Sequence, residues 1–227
     1  MSDILQKIKC TLDNELIHGF NAGIGQSIVG HPLDTFKTWR QIGHTEKISV
    51  NGLLRGWMYP AFTNGLINGA GFRIYEGSKK SFDQNGAIIG GITAGCTMAL
   101  MSGYFEYKKI IKQLNIKISF PPASIVTLLM REIPACLFYF PVYDELRERK
   151  ISVFMSGGIA GLTCWTSSYW ADVLNTHVMS GKTLTATIKT LKMKDYFRGM
   201  NIVLPRAFIV NAVGYFFYEQ SKLLLKN

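Results

Sequence analysis

The amino-acid sequence predicts an all-α membrane protein, with six transmembrane helices arranged as three tandem two-helix repeats. Three observations carry this reading. Charge-free runs recur: Leu16–Leu33, Asn85–Phe105 and Ile151–Ala171 hold no Asp, Glu, Lys or Arg over 18, 21 and 21 residues. Each is about long enough to cross a hydrocarbon core of roughly 30 Å at about 1.5 Å per residue. Each also contains a Gly-x-x-x-Gly pair (Gly19/Gly23, Gly91/Gly95, Gly157/Gly161), followed eleven residues after the second glycine by Asp34, Glu106 or Asp172. A fixed internal period decides architecture before any single residue does. Paired glycines in apolar runs are the packing signature of helices that meet in lipid.

In chain order, Met1 to Glu15 carries both signs of charge and lacks the apolar centre of a signal peptide. The first clean helix follows, with Pro32 near its end, where a proline would kink it and free backbone carbonyls. Less clean apolar stretches alternate with the clean ones: Gly56–Phe72, Ile118–Tyr143 with Arg131 and Glu132 inside, and Gly199–Tyr218 with Arg206 inside. The chain reads as a single domain, 1–227, with repeats at about 15–80, 85–148 and 151–224.

The net charge is +10, from 25 Lys and Arg against 15 Asp and Glu. Such an excess suits basic loops beside anionic headgroups or an electropositive cavity for an anion, and charge alone does not separate the two. No basic stripe with interleaved aromatics lies outside the apolar segments, which excludes nucleic acid as a partner. Cys10, Cys96, Cys136 and Cys164 are scattered without ligand or disulfide spacing, so no metal or cofactor is expected. An enzyme is not expected either. His18, His31, His44 and His177 show no ligand spacing, and the chain has no phosphate loop, nucleophile elbow or His-Glu-x-x-His.

Two charged patterns repeat in register. After each clean helix a charged turn is expected: Pro32-Leu-Asp34-Thr-Phe-Lys37 with Gln41, then Glu106 and Lys109 with Gln113, then Asp172 and Asn175. The proline position holds Tyr104 and Trp170 in the second and third copies, and Met179 replaces the third glutamine. At the far end of the other helices stand Phe72, Tyr75, Glu76 and Lys79; Phe140, Tyr143, Asp144 and Arg147; and Tyr215, Tyr218, Glu219 and Lys222. The spacing i, i+3, i+4, i+7 places each set on one helical face. Leu54-Arg55-Gly56 and Phe197-Arg198-Gly199 open the first and third of these helices.

Together these motifs resemble the mitochondrial carrier family, over roughly Glu15 to Lys222. The resemblance implies a pseudo-threefold six-helix bundle around a central cavity, a monomer, working by alternating access as a multi-pass protein of the mitochondrial inner membrane. It implies a matrix gate of Asp34 with Lys109, Asp172 with Lys37, and Glu106 with the neutral Asn175, flanked by Gln41 and Gln113. A cytoplasmic gate would join Lys79 to Asp144, Arg147 to Glu219 and Lys222 to Glu76, beside Tyr75, Tyr143 and Tyr218. With two charged pairs against three, the matrix gate is expected to be the weaker. Arg55, Gly56, Arg198 and Gly199 resemble the family's lipid corners, which implies cardiolipin as a partner.

The solute site is expected mid-helix. Counting nine back from the terminal aromatics reaches Thr63, Arg131 and Arg206, equivalent positions at one level. An ionisable residue near mid-membrane suggests a pathway or ligand role. Glu132, Asn64 and Asn68 add polar contacts. The Arg131-Glu132 pair resembles carriers of amino acids and S-adenosylmethionine, where acid and base hold a zwitterion. Two cavity arginines suit phosphate through their fork geometry, and the short chain resembles a compact virus-encoded branch of the family, which implies deoxynucleotides. The balance favours exchange of an adenine nucleotide such as dATP or ADP. The alternatives are an S-adenosylmethionine or amino-acid carrier, and a non-transporting membrane scaffold.

Overall fold

The computed structural model of the chain describes residues 14–32, 57–82, 85–114, 119–197 and 199–224. The helices among them are α1 (14–32), α2 (Met58–Ser81), α3 (Gly86–Leu114), α4 (Ala123–Glu148), α5 (Val153–Met179), α6 (Leu184–Thr190) and α7 (Met200–Leu224). A 3₁₀ turn, Met193–Phe197, leads towards α7.

The six long helices close into a ring. Along the chain α2 packs on α3, α3 on α4, α4 on α5 and α5 on α7. The glycines of α1 meet the backbone of α2 at Asn64, Gly65, Asn68 and Gly69. The ring closes where α1 meets α7, with Gly25 against Phe217 and Gly214 against Gln26. All three Gly-x-x-x-Gly pairs face the next long helix. A Cβ on Gly23 would lie 2.6 Å from Gly65 Cα, one on Gly95 2.7 Å from Ile133 Cα, and one on Gly157 3.0 Å from the Asn211 carbonyl oxygen. Only the absence of a side chain permits backbones this close.

One sequence expectation is corrected. The second and third charged stretches are not turns: α3 runs through Glu106 to Leu114 and α5 runs through Asp172 to Met179. The reason is the missing proline. Tyr104 and Trp170 keep their amide N–H and carry the helix on, placing the acid and the residue three further along on one helical face. The short link 149–152 turns α4 into α5 through Lys150 at φ 60°, and Ser152 caps α5, accepting from the Met155 amide at 3.4 Å. The short α6 was not foreseen. Thr183 caps it, and its seven residues are too polar to register as an apolar run.

The core is an aromatic layer at one end of α2, α4 and α7. Tyr75 stacks on Phe140 at 4.5 Å, Tyr143 on Tyr215 at 3.4 Å, and Tyr218 on Phe72 at 4.3 Å, so each tyrosine lies on the ring of the next helix in cyclic order. All six rings are buried. Such pairs contribute about 0.5–1.5 kcal/mol each beyond burial, and together they close this end of the ring. Outside, large apolar side chains are exposed on every long helix, among them Ile28, Phe62, Leu100, Val126, Phe154 and Phe216. Gly86–Tyr107 and Ala123–Glu148 are long and apolar enough to cross a membrane.

Candidate functional site

The densest polar cluster is built on α4. Arg131 lies on this helix with a side chain only 12 % exposed, and it gathers three carboxylates. Its Nη1 donates to Glu106 Oε2 on α3 at 2.8 Å and to Asp172 Oδ1 on α5 at 3.1 Å. Its Nη2 donates to Glu106 Oε1 and to Glu132 Oε1, and its Nε donates to Glu132 Oε1 at 3.0 Å. The planar fork allows this, taking Glu106 in bidentate fashion while its other edge serves Glu132. Asn175, 1 % exposed, donates to Glu106 Oε2 at 3.2 Å, and its Oδ1 accepts from Thr127 at 2.8 Å. The expected Glu106–Asn175 contact is therefore present. Residues expected in two separate places, a solute site and a gate, form a single cluster.

The other expected site residues line different walls. Asn64 donates to Ser27 Oγ at 3.0 Å, and Asn68 donates to Gln26 Oε1 at 3.3 Å. Thr63 is buried, with its hydroxyl on the Pro60 carbonyl at 3.3 Å. Arg206 Nη2 lies 3.6 Å from where a Cβ on Gly30 of α1 would be. Asp34, Lys37, Gln41, Arg55, Gly56 and Arg198 lie outside the described residues, as do the side chains of Lys109 and Gln113 on α3. Gly199, expected at a lipid corner, has φ +89°, a conformation that glycine adopts readily, at the start of α7.

At the aromatic end, one of the three expected ion pairs is closed. Lys79 binds Asp144, which also accepts from Tyr75 at 2.9 Å, and Tyr143 donates to Glu219 at 3.0 Å. Arg147 instead donates to the Ile151 carbonyl. Lys222 sits over the Tyr218 ring, 4.5 Å from its centroid, and Tyr218 donates to Glu15 at 2.5 Å rather than to Glu76. Glu15, at the start of α1 and 6 % exposed, adds a second carboxylate beside Glu76 and takes the Tyr218 hydroxyl. The side chains of Lys79 and Asp144 are 39 % and 24 % exposed, so solvent screens the pair and its worth is at most about 1 kcal/mol. Lys79→Ala is therefore expected to lower the melting temperature in detergent by no more than about 4 °C, read by thermal unfolding of the purified protein.

Sequence reasoning missed Glu15 and Gln26. Gln26 Oε1 accepts from Asn68, and its Nε2 donates to Tyr139 at 3.3 Å and to Asn211 at 3.2 Å, tying α1 to α2, α4 and α7. A signal existed. Gln26 is a polar side chain in a charge-free run, and Met98 and Cys164 stand at the equivalent positions of the other repeats.

No protein-family model matches the chain. It is similar to the mitochondrial arginine transporter BAC2 of Arabidopsis thaliana, 26 % identical over 94 % of this chain and 92 % of that protein. The mitochondrial basic amino acids transporter of Rattus norvegicus is 24 % identical over 88 % and 86 %, and the mitochondrial ornithine transporter 1 of Schizosaccharomyces pombe 22 % over 88 % and 90 %. The Arabidopsis alignment spans 271 positions against 227 residues here, so that relative carries segments this compact chain lacks. The apolar helices and this likeness along nearly the whole length support membership of the mitochondrial carrier family, the multi-pass solute carriers of the mitochondrial inner membrane.

Proposed function

We propose that this carrier exchanges a basic amino acid, such as arginine, ornithine or lysine, across the membrane by alternating access. The observation that carries the reading is the three carboxylates gathered on one guanidinium at Arg131. That cluster holds more negative than positive charge. Both Arg131 contacts to Glu132 use Oε1, and Oε2 accepts no bond among the described residues. A dibasic amino acid would bring a cationic group to this carboxylate and its own carboxylate to an arginine, Arg206 being the second one along the wall. A nucleotide polyphosphate would bring several negative charges to a cation already held by three acids, so the expected nucleotide finds no support in this arrangement. The relatives named for arginine, basic amino acids and ornithine support the same choice.

The reading takes α1–α5 and α7 as six spans in repeats of about 15–80, 85–148 and 151–224, with the aromatic layer and the Glu106–Asn175 contact as its two gates. The test is uptake of labelled solutes into liposomes that carry the protein and are preloaded with the same solute. The panel is L-arginine, L-ornithine, L-lysine, S-adenosylmethionine, dATP and ADP. Saturable exchange of L-arginine or L-ornithine that is lost in Arg206→Ala is expected. Exchange of dATP or ADP alone would overturn the proposal.

A further inference from the structure

The third repeat of this chain lacks a base where the first two have one. Lys37 and Lys109 stand three residues after Asp34 and Glu106, but Asn175 stands three after Asp172. Asn175 offers Glu106 only a neutral hydrogen bond at 3.2 Å, and its carbonyl is already taken by Thr127. The positive charge that Glu106 meets comes instead from a different helix, through the two-pronged contact of Arg131. The same Nη1 reaches Asp172 at 3.1 Å, so one guanidinium on α4 joins the ends of α3 and α5.

We infer that Arg131 serves as the missing third base of this gate, and that the gate on this side opens only when Arg131 releases Glu106 and Asp172. The inference rests on the carrier reading but not on which solute is carried. Its chemistry favours a zwitterionic or dibasic solute. A cationic group on the solute replaces the guanidinium at the carboxylates, while the solute's carboxylate takes the guanidinium. Every charge then keeps a partner while α3 and α5 separate, which water alone achieves poorly at a site this enclosed. Arg131 is thus a positioning residue for the gate as well as a candidate solute contact.

The test uses Ser124, which is 0 % exposed, lies one turn from Thr127 on the same face of α4, and whose hydroxyl has no hydrogen-bond partner. Ser124→Cys gives a thiol shielded while α3 and α5 are held together. Its modification by a membrane-impermeant maleimide is measured in the full-length protein in liposomes, by peptide mass so that the native cysteines do not interfere. Adding Arg131→Gln is expected to raise the labelling rate about tenfold or more, the equivalent of losing a charge-assisted contact. Adding Asn175→Lys to that variant restores the base and returns the rate to that of Ser124→Cys alone. Where Arg131→Gln does not yield folded protein, Arg131→Lys keeps the charge but not the fork, and an intermediate rate is expected. An unchanged rate in the Arg131 variants, or no recovery with Asn175→Lys, would overturn the inference, because a residue that only contacts the solute leaves labelling without solute unmoved. L-arginine added to Ser124→Cys is expected to speed labelling. If it does not while the solute-free rates behave as stated, the choice of solute falls and the gate assignment stands.

Discussion

Gly95→Leu is expected to abolish folding. A Cβ at this position would lie 2.7 Å from Ile133 Cα and 2.8 Å from the Glu132 carbonyl oxygen, both backbone atoms of α4. A flexible side chain can turn aside, but a helix backbone cannot, so α3 and α4 would have to separate along their length. The cost exceeds a few kcal/mol for the first carbon alone and grows with each further one, against a total stability of about 5–15 kcal/mol. In lipid the loss is felt directly, because tails are as apolar as side chains and close packing supplies the association. The measurement is the yield of monodisperse protein after detergent extraction, with its melting temperature. Gly71→Ala makes the comparison, since its neighbours are the Sδ, Cγ and Cε of Met98, a flexible side chain that can rotate away. It is expected to fold with a melting temperature lowered by only a few degrees. A Gly95→Leu protein that folds as the parent does would show that α3 and α4 do not approach as closely as described.

The same glycines explain why so much of the architecture was legible in the sequence. Their spacing sets which face of α1, α3 and α5 meets the following helix, and the charge-free runs mark where those helices lie. The aromatic layer was also foreshadowed, since Tyr75, Tyr143 and Tyr218 share one face with their acids. What stayed hidden are choices between partners at similar distances. Spacing gives a residue's height along a helix, but a long side chain at that height reaches several neighbours. The pattern places Arg131 mid-helix, yet nothing in it says that its stem carries the guanidinium to Glu106 and Asp172 on two other helices. Lys222 was paired with Glu76, but Tyr218 beside it donates to Glu15, at the very start of the first repeat, to which the charged patterns give no counterpart. The continuation of α3 and α5 through the charged stretches was legible in principle, from the absence of proline at Tyr104 and Trp170.

Glu132→Gln is expected to lower exchange of a basic amino acid by about 10- to 100-fold while leaving the fold intact. The two halves of this expectation rest on different contacts. Arg131 keeps Glu106 and Asp172 in the variant, and the glutamine oxygen still accepts from its Nε and Nη2, so no buried cation is left without a carboxylate. The melting temperature should therefore stay within a few degrees of the parent, in contrast to Arg131→Gln, which strands three carboxylates and is expected to lose about 3–5 kcal/mol. The solute, however, loses a full charge. A cationic group held by a carboxylate contributes roughly 1.5–3 kcal/mol, and an amide in the same place offers only a neutral acceptor. Exchange in liposomes, measured as rate against external concentration, gives the size of the loss, and a neutral amino acid as solute gives its cause. The discrimination against the neutral solute should shrink along with the rate, because the charge that set it is gone. Removing a negative charge from the cavity cannot by itself weaken the binding of a polyanion. Nucleotide exchange that survives or rises in Glu132→Gln would therefore turn the assignment back to a phosphate-bearing solute, whereas loss confined to cationic amino acids fixes Glu132 as the residue that reads the charge.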